Sequence, residues 1–150
     1  MSPVKTGHLK ALVVNDSEDG AESFAVVLGL CGCEAKVLYG ADDVVREAVA
    51  FLPHVIFIDV RMPRVDGCEA ARRIRRESVI ADVWLIAASG SSSVVTVRES
   101  EAAGFDAYYL TPIDPSVLGA ILARASLERR SRSFVLDPQL APLLRSPSRT

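Results

Sequence analysis

The fold is decided by residues 54–75, HVIFIDVRMPRVDGCEAARRIR, in which an apolar run ends at Asp59 and a helical segment begins near Gly67. A run that is apolar at successive positions, rather than at alternate ones, is typical of a strand covered on both faces in a parallel sheet. We therefore expect this strand to lie inside a sheet with helices on both sides.

Four further apolar runs recur along the chain, at Leu9–Val14, Ala35–Tyr39, Val83–Ala88 and Asp106–Leu110. Helical patterns separate or follow the five runs, at about 19–30, 44–52, 67–77, 94–103 and 115–125. Strand and helix thus alternate five times, with no room for long hairpins. The pattern predicts an α/β fold, (βα)5, with a doubly wound five-stranded parallel sheet and right-handed crossovers.

The composition indicates one compact domain of an ordinary globular protein, because 49% of the 150 residues are hydrophobic and 24% are charged. A net charge of -2 gives no field that would attract nucleic acid or an anionic membrane. No apolar run is long enough for a signal peptide or a spanning helix, so we expect a cytoplasmic protein.

We assign residues 1–8 to an N-terminal extension, 9–130 to the domain and 131–150 to a flexible tail with a short helical turn near Leu140–Leu144. The tail is rich in Ser, Pro and Arg. Of the cationic runs, the arginines of 72–76 are interpreted as a solvated helix face rather than a nucleic-acid contact. Three cysteines are interpreted as reduced structural thiols: Cys31, Cys33 and Cys68.

Polar residues stand where four of the predicted strands end: Asn15-Asp16, Asp59, Ser89 and Thr111-Pro112. Because the carboxyl ends of parallel strands share one edge, Asp16 and Asp59 should lie close enough to bind one divalent ion. Mg²⁺ is the expected ion, since it takes oxygen ligands and bridges carboxylates to phosphate. A carboxylate beside it can accept a phosphoryl group, which makes Asp59 the candidate nucleophile.

Three motifs in this order resemble the receiver domains of two-component response regulators, the CheY-like superfamily. They are FIDVRMPRVDGCEAARRIR at 57–75, LIAASG at 85–90 and EAAGFDAYYLTPIDPSVL at 101–118. The resemblance covers residues 9–129 and implies the flavodoxin-like strand order 2-1-3-4-5. It implies a non-enzymatic signalling domain that takes part in a phosphorelay.

The resemblance also implies roles for single residues: Asp59 as phosphoacceptor; Asp16, Asp59 and the backbone carbonyl of Arg61 as Mg²⁺ ligands; Ser89 and Tyr108 as switch residues. Ala88 competes for the switch position if the alignment shifts by one residue, but alanine has no hydroxyl. A cis peptide bond before Pro112 is implied as well. Asn15 replaces the first of two acids, leaving it to orient a metal-bound water, and Thr111 replaces a lysine.

The expected function is that of a stand-alone receiver phosphorylated by a histidine kinase or a histidine phosphotransfer protein. Its output would be contact with another protein through helix 4, strand 5 and helix 5, a face that also offers a homodimer contact. The alternative is a pseudo-receiver, a binding or scaffold module without the phosphorylation switch, which Asn15 and Thr111 favour. A flavin-binding protein is disfavoured, because NDSEDG at 15–20 is acidic and not a glycine-rich phosphate cradle.

Overall fold

The computed structural model describes residues 9–127 and 133–144, which form a parallel sheet with helices on both faces. The strands are β1 (Lys10–Val14), β2 (Glu34–Leu38), β3 (Val55–Ile58), β4 (Trp84–Ser89), β5 (Ala107–Leu110) and β6 (Val135–Leu136). The helices are α1 (Glu18–Leu30), α2 (Val44–Phe51), α3 (Gly67–Arg76), α4 (Val94–Ala103), α5 (Pro115–Leu127) and α6 (Ala141–Leu144), with a 3-10 helix at Pro138–Leu140.

The strand order is β2-β1-β3-β4-β5-β6, and every pairing is parallel. The predicted order 2-1-3-4-5 is confirmed, with β6 added beside β5. All four residues of β3 are buried, as its continuous apolar run predicts. Within the described ranges, no helix is long and apolar enough to cross a membrane.

The core consists of two apolar layers, one on each face of the sheet. Ile56 and Ile58 face the layer formed with α2, α3 and α4, whereas Phe57 between them faces the layer formed with α1 and α5. On α3, the Ile74 side chain is fully buried in the first of these layers. Cys33 is also buried, and burial raises the pKa of its thiol to about 11, which suits an inert structural thiol.

The prediction that the arginine-rich stretch of α3 is a solvated face is wrong for Arg75. Its guanidinium lies 2.7 Å from the buried carboxylate of Asp106 and donates hydrogen bonds to the carbonyl oxygens of Ala81, Val83 and Gly104. Arg75 therefore joins α3 to the segments that precede β4 and β5. The helical pattern could not reveal this contact, because its acceptors come from distant parts of the chain.

The stretch assigned to a flexible tail contributes β6, which pairs with β5, followed by the 3-10 helix and α6. α6 falls where the sequence predicts a helical turn. β6 was not predicted, because a strand of two residues leaves no recognisable pattern. The N-terminal extension 1–8, the connection 128–132 and the last residues 145–150 lie outside the described residues.

Candidate functional site

The carboxyl ends of β1, β3, β4 and β5 meet at one edge of the sheet. The backbone N–H of Asp59 donates to the carbonyl of Val14 at 2.9 Å, and that of Thr111 donates to the carbonyl of Ser89 at 2.9 Å. The predicted site residues at the four strand ends are thus brought to the same edge of the sheet as Asp59.

The Asp59 side chain is half-buried at this edge. Burial raises the pKa of its carboxyl group, and the negative charge of Asp16 raises it further, whereas a hydrogen bond from the backbone N–H of Arg61 at 3.2 Å acts in the opposite direction. Two neighbouring carboxylates, one of them partly desolvated, favour a bound cation.

The position of Asp59 depends on close contact with the start of α3. A Cβ atom on Gly67 would lie 2.6 Å from the carbonyl oxygen of Asp59 and 2.7 Å from the Cα of Val60. Asp66 caps the helix by accepting the backbone N–H of Glu69 at 2.9 Å. The Asp-Gly pair therefore both starts α3 and lets it approach the backbone that carries Asp59.

Asp59 has neighbours of the oxygen-donor types that suit Mg²⁺. Asp16 is exposed and close enough for its charge to act on Asp59, and the Arg61 main chain lies two residues beyond. Two carboxylates and a backbone carbonyl are the donor types that Mg²⁺ binds, with water completing its octahedron. These residues fit the ion by their chemistry. Among the described residues, no three acidic, His or Cys side chains are placed so that side chains alone could hold a metal ion.

The Asn15 side chain takes part in the local turn. Its Oδ1 accepts the backbone N–H of Ser17 at 2.9 Å, and Ser17 in turn caps α1 by accepting the N–H of Gly20. This hydrogen bond limits the freedom of Asn15 to face the site. Its role in orienting a metal-bound water stays a prediction.

The proposed switch residues, Ser89 and Tyr108, are joined through Ser91. Ser89 is buried, and its Oγ accepts the backbone N–H of Ser91 at 3.1 Å. The Tyr108 side chain is fully buried, and its hydroxyl donates to the carbonyl of Ser91 at 2.7 Å. Burial raises the pKa of Tyr108, and its hydrogen bonds with Ser89 and Ser91 act in the opposite direction.

Comparison with known proteins identifies the family. The sequence model of the response regulator receiver domain matches residues 11–123, which is most of the chain. The chain belongs to this family.

Two curated relatives illustrate the range of receiver proteins that the chain resembles. Protein PilG of Pseudomonas aeruginosa is 27% identical over 116 residues, covering 77% of this chain and 86% of PilG. The DNA-binding response regulator MtrA of Mycolicibacterium smegmatis is 29% identical over 120 residues, covering 80% of this chain but 51% of MtrA. The chain thus spans about half the length of MtrA.

Two solved structures share the receiver fold. Vibrio cholerae chemotaxis protein CheY4 aligns with a TM-score of 0.73 at 24% identity, covering 78% of this chain and 98% of that protein. The receiver domain of sensor histidine kinase PA1611 from Pseudomonas aeruginosa, solved with magnesium in its active-site cleft, gives 0.74 at 24% identity, covering 80% and 98%.

One contact of this receiver domain was not predicted. Arg61 was expected to contribute only its backbone carbonyl, but its guanidinium Nη2 donates to the Oγ1 of Thr96 at 2.8 Å. Thr96 is buried on α4. The side chain therefore connects the loop after Asp59 to α4. No signal in the sequence relates two residues 35 positions apart.

A mostly apolar pocket of about 370 Å³ opens beside Asp59. Its walls include Phe24, Val27, Phe57 and Ile113. Thr111, which stands at the lysine position, lines the pocket and is exposed. The Thr111-Pro112 peptide bond is cis, as the resemblance implied.

Proposed function

We propose that the protein is a stand-alone receiver that accepts a phosphoryl group on Asp59 from a histidine kinase or a histidine phosphotransfer protein. The observation that carries this proposal is the half-buried Asp59 carboxylate beside Asp16, on the same sheet edge as the hydroxyl-bearing Ser89. Partial burial keeps bulk water from the nucleophile, and the neighbouring charge favours a cation there.

The reaction is an in-line transfer. An oxygen of Asp59 attacks phosphorus, the phosphorus–nitrogen bond of the donor phosphohistidine breaks, and its electron pair returns to the imidazole, leaving an acyl phosphate on Asp59. Mg²⁺ held by Asp16, Asp59 and the Arg61 carbonyl would neutralise charge on the phosphoryl oxygens. The Ser89 hydroxyl would donate a hydrogen bond to one of those oxygens.

Thr111 weakens the phosphorylated state in this proposal. A hydrogen bond to a charged group is worth about 1.5–3 kcal/mol and one between neutral groups about 1 kcal/mol. Replacing an ammonium by a threonine hydroxyl therefore costs roughly tenfold in stabilising the phosphoryl group. The change should weaken the switch more than the fold.

In this proposal, the protein signals by contacting another cytoplasmic protein through α4, β5 and α5. It does not catalyse a reaction on a separate substrate. Tyr108 supports this face as the output, because its side chain reaches from β5 to the loop after Ser89. The same face is where a homodimer would form. Its interaction with a partner would then respond to events at Asp59.

A pseudo-receiver is the second candidate, and the Asn15 geometry favours it. The Asn15 Oδ1 accepts the N–H of Ser17 and carries no charge, so the cation site has one negative charge fewer than an acid at this position would supply. In that case the domain would bind its partner without phosphorylation.

The deciding experiment incubates the full chain with Mg²⁺ and either acetyl phosphate or beryllofluoride, followed by intact mass and amide spectra. We expect one adduct, lost in Asp59→Asn and longer-lived in Thr111→Lys. If neither the wild type nor Thr111→Lys forms an adduct, even with a cognate kinase present, the protein functions as a pseudo-receiver.

A further inference from the structure

The walls of the pocket beside Asp59 belong largely to residues that have no part in the proposed phosphorylation. Phe24 and Val27 come from α1, and Phe57 comes from β3. The rings of Phe24 and Phe57 meet edge to face, with their centroids 4.9 Å apart. The pocket volume of about 370 Å³ lies within the range of about 300–1,000 Å³ that small-molecule sites occupy. A small organic molecule therefore fits, with its body against two aromatic rings.

The polar groups of the pocket lie at the carboxyl edge of the sheet. Asp59 follows Phe57 by two residues, and both line the pocket because side chains at this spacing point to the same face of a strand. Asn15 and Thr111 follow β1 and β5 at the same edge and line the pocket as well. The pocket thus extends from polar groups at the sheet edge to apolar walls formed by β3 and α1.

Short side chains leave the space of the pocket free. Gly20, Ala88 and Gly90 line it together with Thr111. A Cβ atom on Gly90 would lie 4.0 Å from the Oγ1 of Thr111, which places the threonine hydroxyl between the ends of β4 and β5. Both of these residues are exposed, so a ligand can reach the pocket from solvent at this end.

The charge of the pocket favours a cation. Among the described residues that line it, Asp59 is the only charged one. Its carboxylate is half-buried, and Asp16 adds a second negative charge close by. A hydrated metal ion gains nothing from the apolar walls, whereas an organic cation with an apolar body is removed from water by them. One carboxylate combined with apolar walls therefore matches an organic ammonium ion.

We propose that this pocket binds a small primary amine with an apolar body, of the phenylalkylamine class. The ammonium group donates hydrogen bonds to the Asp59 carboxylate and to the Thr111 hydroxyl, and the bond to the carboxylate is strengthened by charge. The apolar body lies against Phe24, Val27 and Phe57. A quaternary ammonium is a poorer match, because it has no N–H to donate.

Amine binding requires only the Asp59 carboxylate and the apolar walls, and so it does not depend on phosphorylation. If Asp59 also accepts a phosphoryl group, as proposed above, the amine and the phosphoryl group exclude each other because both occupy the same carboxylate. The amine then acts as an inhibitor of phosphorylation.

The test titrates phenethylamine into the full chain by isothermal calorimetry, with a chelator present to remove divalent ions. Phenethyl alcohol keeps the ring and loses the charge, and ethylamine keeps the ammonium and loses the ring. Each should bind at least about tenfold more weakly than phenethylamine. Asp59→Asn should lower the affinity for phenethylamine to that for the alcohol. Asp19→Asn removes an exposed acid of α1 that does not line the pocket, and it should leave the affinity unchanged.

Thr111→Lys places the chain's own ammonium and aliphatic stem at the opening of the pocket, so it should abolish binding of phenethylamine. Thr111→Ser keeps the hydroxyl and is the matched control, with an affinity close to that of the wild type. Circular dichroism shows whether each variant is folded, and the three ligands compared on the wild type provide the same test if one is not.

Absence of saturable phenethylamine binding to the wild type up to about 10 mM would overturn the proposal. Equal affinities for the amine and the alcohol, or unchanged binding of the amine to folded Asp59→Asn or Thr111→Lys, would overturn it as well. No phosphodonor is present in these titrations, so their outcome is independent of whether Asp59 is phosphorylated.

Discussion

The hydroxyl of Tyr108 donates a hydrogen bond to the backbone carbonyl of Ser91 at 2.7 Å, and this bond ties β5 to the loop that follows β4. The same Ser91 donates its N–H to the Oγ of Ser89. In the proposed function, the Ser89 hydroxyl would turn to donate to a phosphoryl group on Asp59, which would weaken the bond that its Oγ accepts from Ser91. The loop and Tyr108 would respond together, because both depend on Ser91.

Tyr108→Phe should lower the free energy of unfolding by about 1 kcal/mol, because the buried ring is kept while one hydrogen bond is lost and the Ser91 carbonyl loses a partner. Urea unfolding followed by circular dichroism measures the change. Tyr109→Phe is the matched control, since Tyr109 lies on the opposite face of β5 and is only half-buried. Equal effects of the two substitutions would contradict the importance of the Ser91 bond.

Asp59→Asn should make the protein more stable than the wild type at neutral pH in the absence of divalent ions. The pKa of Asp59 is raised in the folded protein, so the native state holds its proton more tightly than the unfolded state. As the pH rises from the ordinary pKa through the raised one, the wild type loses stability through this group. The advantage of Asp59→Asn should therefore shrink on acidification through this window.

Thermal unfolding across this pH range, with a chelator present, measures the Asp59 effect. Asp16→Asn removes the second cause of the raised Asp59 pKa, so the pH range over which the stability difference changes should become narrower. This range should not disappear, because burial is the larger cause. A pH-independent difference between Asp59→Asn and the wild type would show that the Asp59 carboxyl is not perturbed.

Asn15→Asp should tighten Mg²⁺ binding by roughly tenfold, because it adds a negative charge near two carboxylates and keeps the oxygen that accepts the Ser17 N–H. Isothermal titration with MgCl₂ measures the affinity. Glu18→Gln, which removes an exposed acid on α1, is the control and should change the affinity little. Binding unaffected by both Asn15→Asp and Asp16→Asn would place the ion elsewhere.

The sequence predicted the five central strands and the edge at which Asp16, Asp59 and Ser89 meet, because continuous apolar runs and strand ends follow general rules of parallel sheets. It did not predict the Arg61 contact with Thr96 or the pairing of β6. Both depend on how distant segments dock, and local patterns carry no information on docking.

Arg75→Met should lower the free energy of unfolding by about 3 kcal/mol, because it leaves the Asp106 carboxylate, 2% exposed, without its guanidinium partner. Arg76→Met removes an exposed charge from the same helix and should change the stability by less than about 0.5 kcal/mol. Denaturant unfolding of both variants gives the comparison. If the two variants are equally stable, the Arg75–Asp106 ion pair contributes no more to the free energy of unfolding than a surface ion pair does.

Gly67→Ala should destabilise the protein by about 1–3 kcal/mol, because its Cβ would overlap the backbone of Asp59 and Val60 and force α3 away from the strand end. Gly119→Ala is the opposite case. A Cβ on Gly119 in α5 meets nothing within 4 Å, so that substitution should stabilise the protein by up to about 1 kcal/mol through helix propensity.

Thermal and denaturant unfolding separate the two glycine variants, and phosphorylation by acetyl phosphate adds a functional measurement. Because Gly67 sets the distance between α3 and the Asp59 backbone, the folded fraction of Gly67→Ala should also form the adduct more slowly than Gly119→Ala. Wild-type stability in Gly67→Ala would show that α3 can move without cost, and the close approach of this helix would then not explain the position of Asp59.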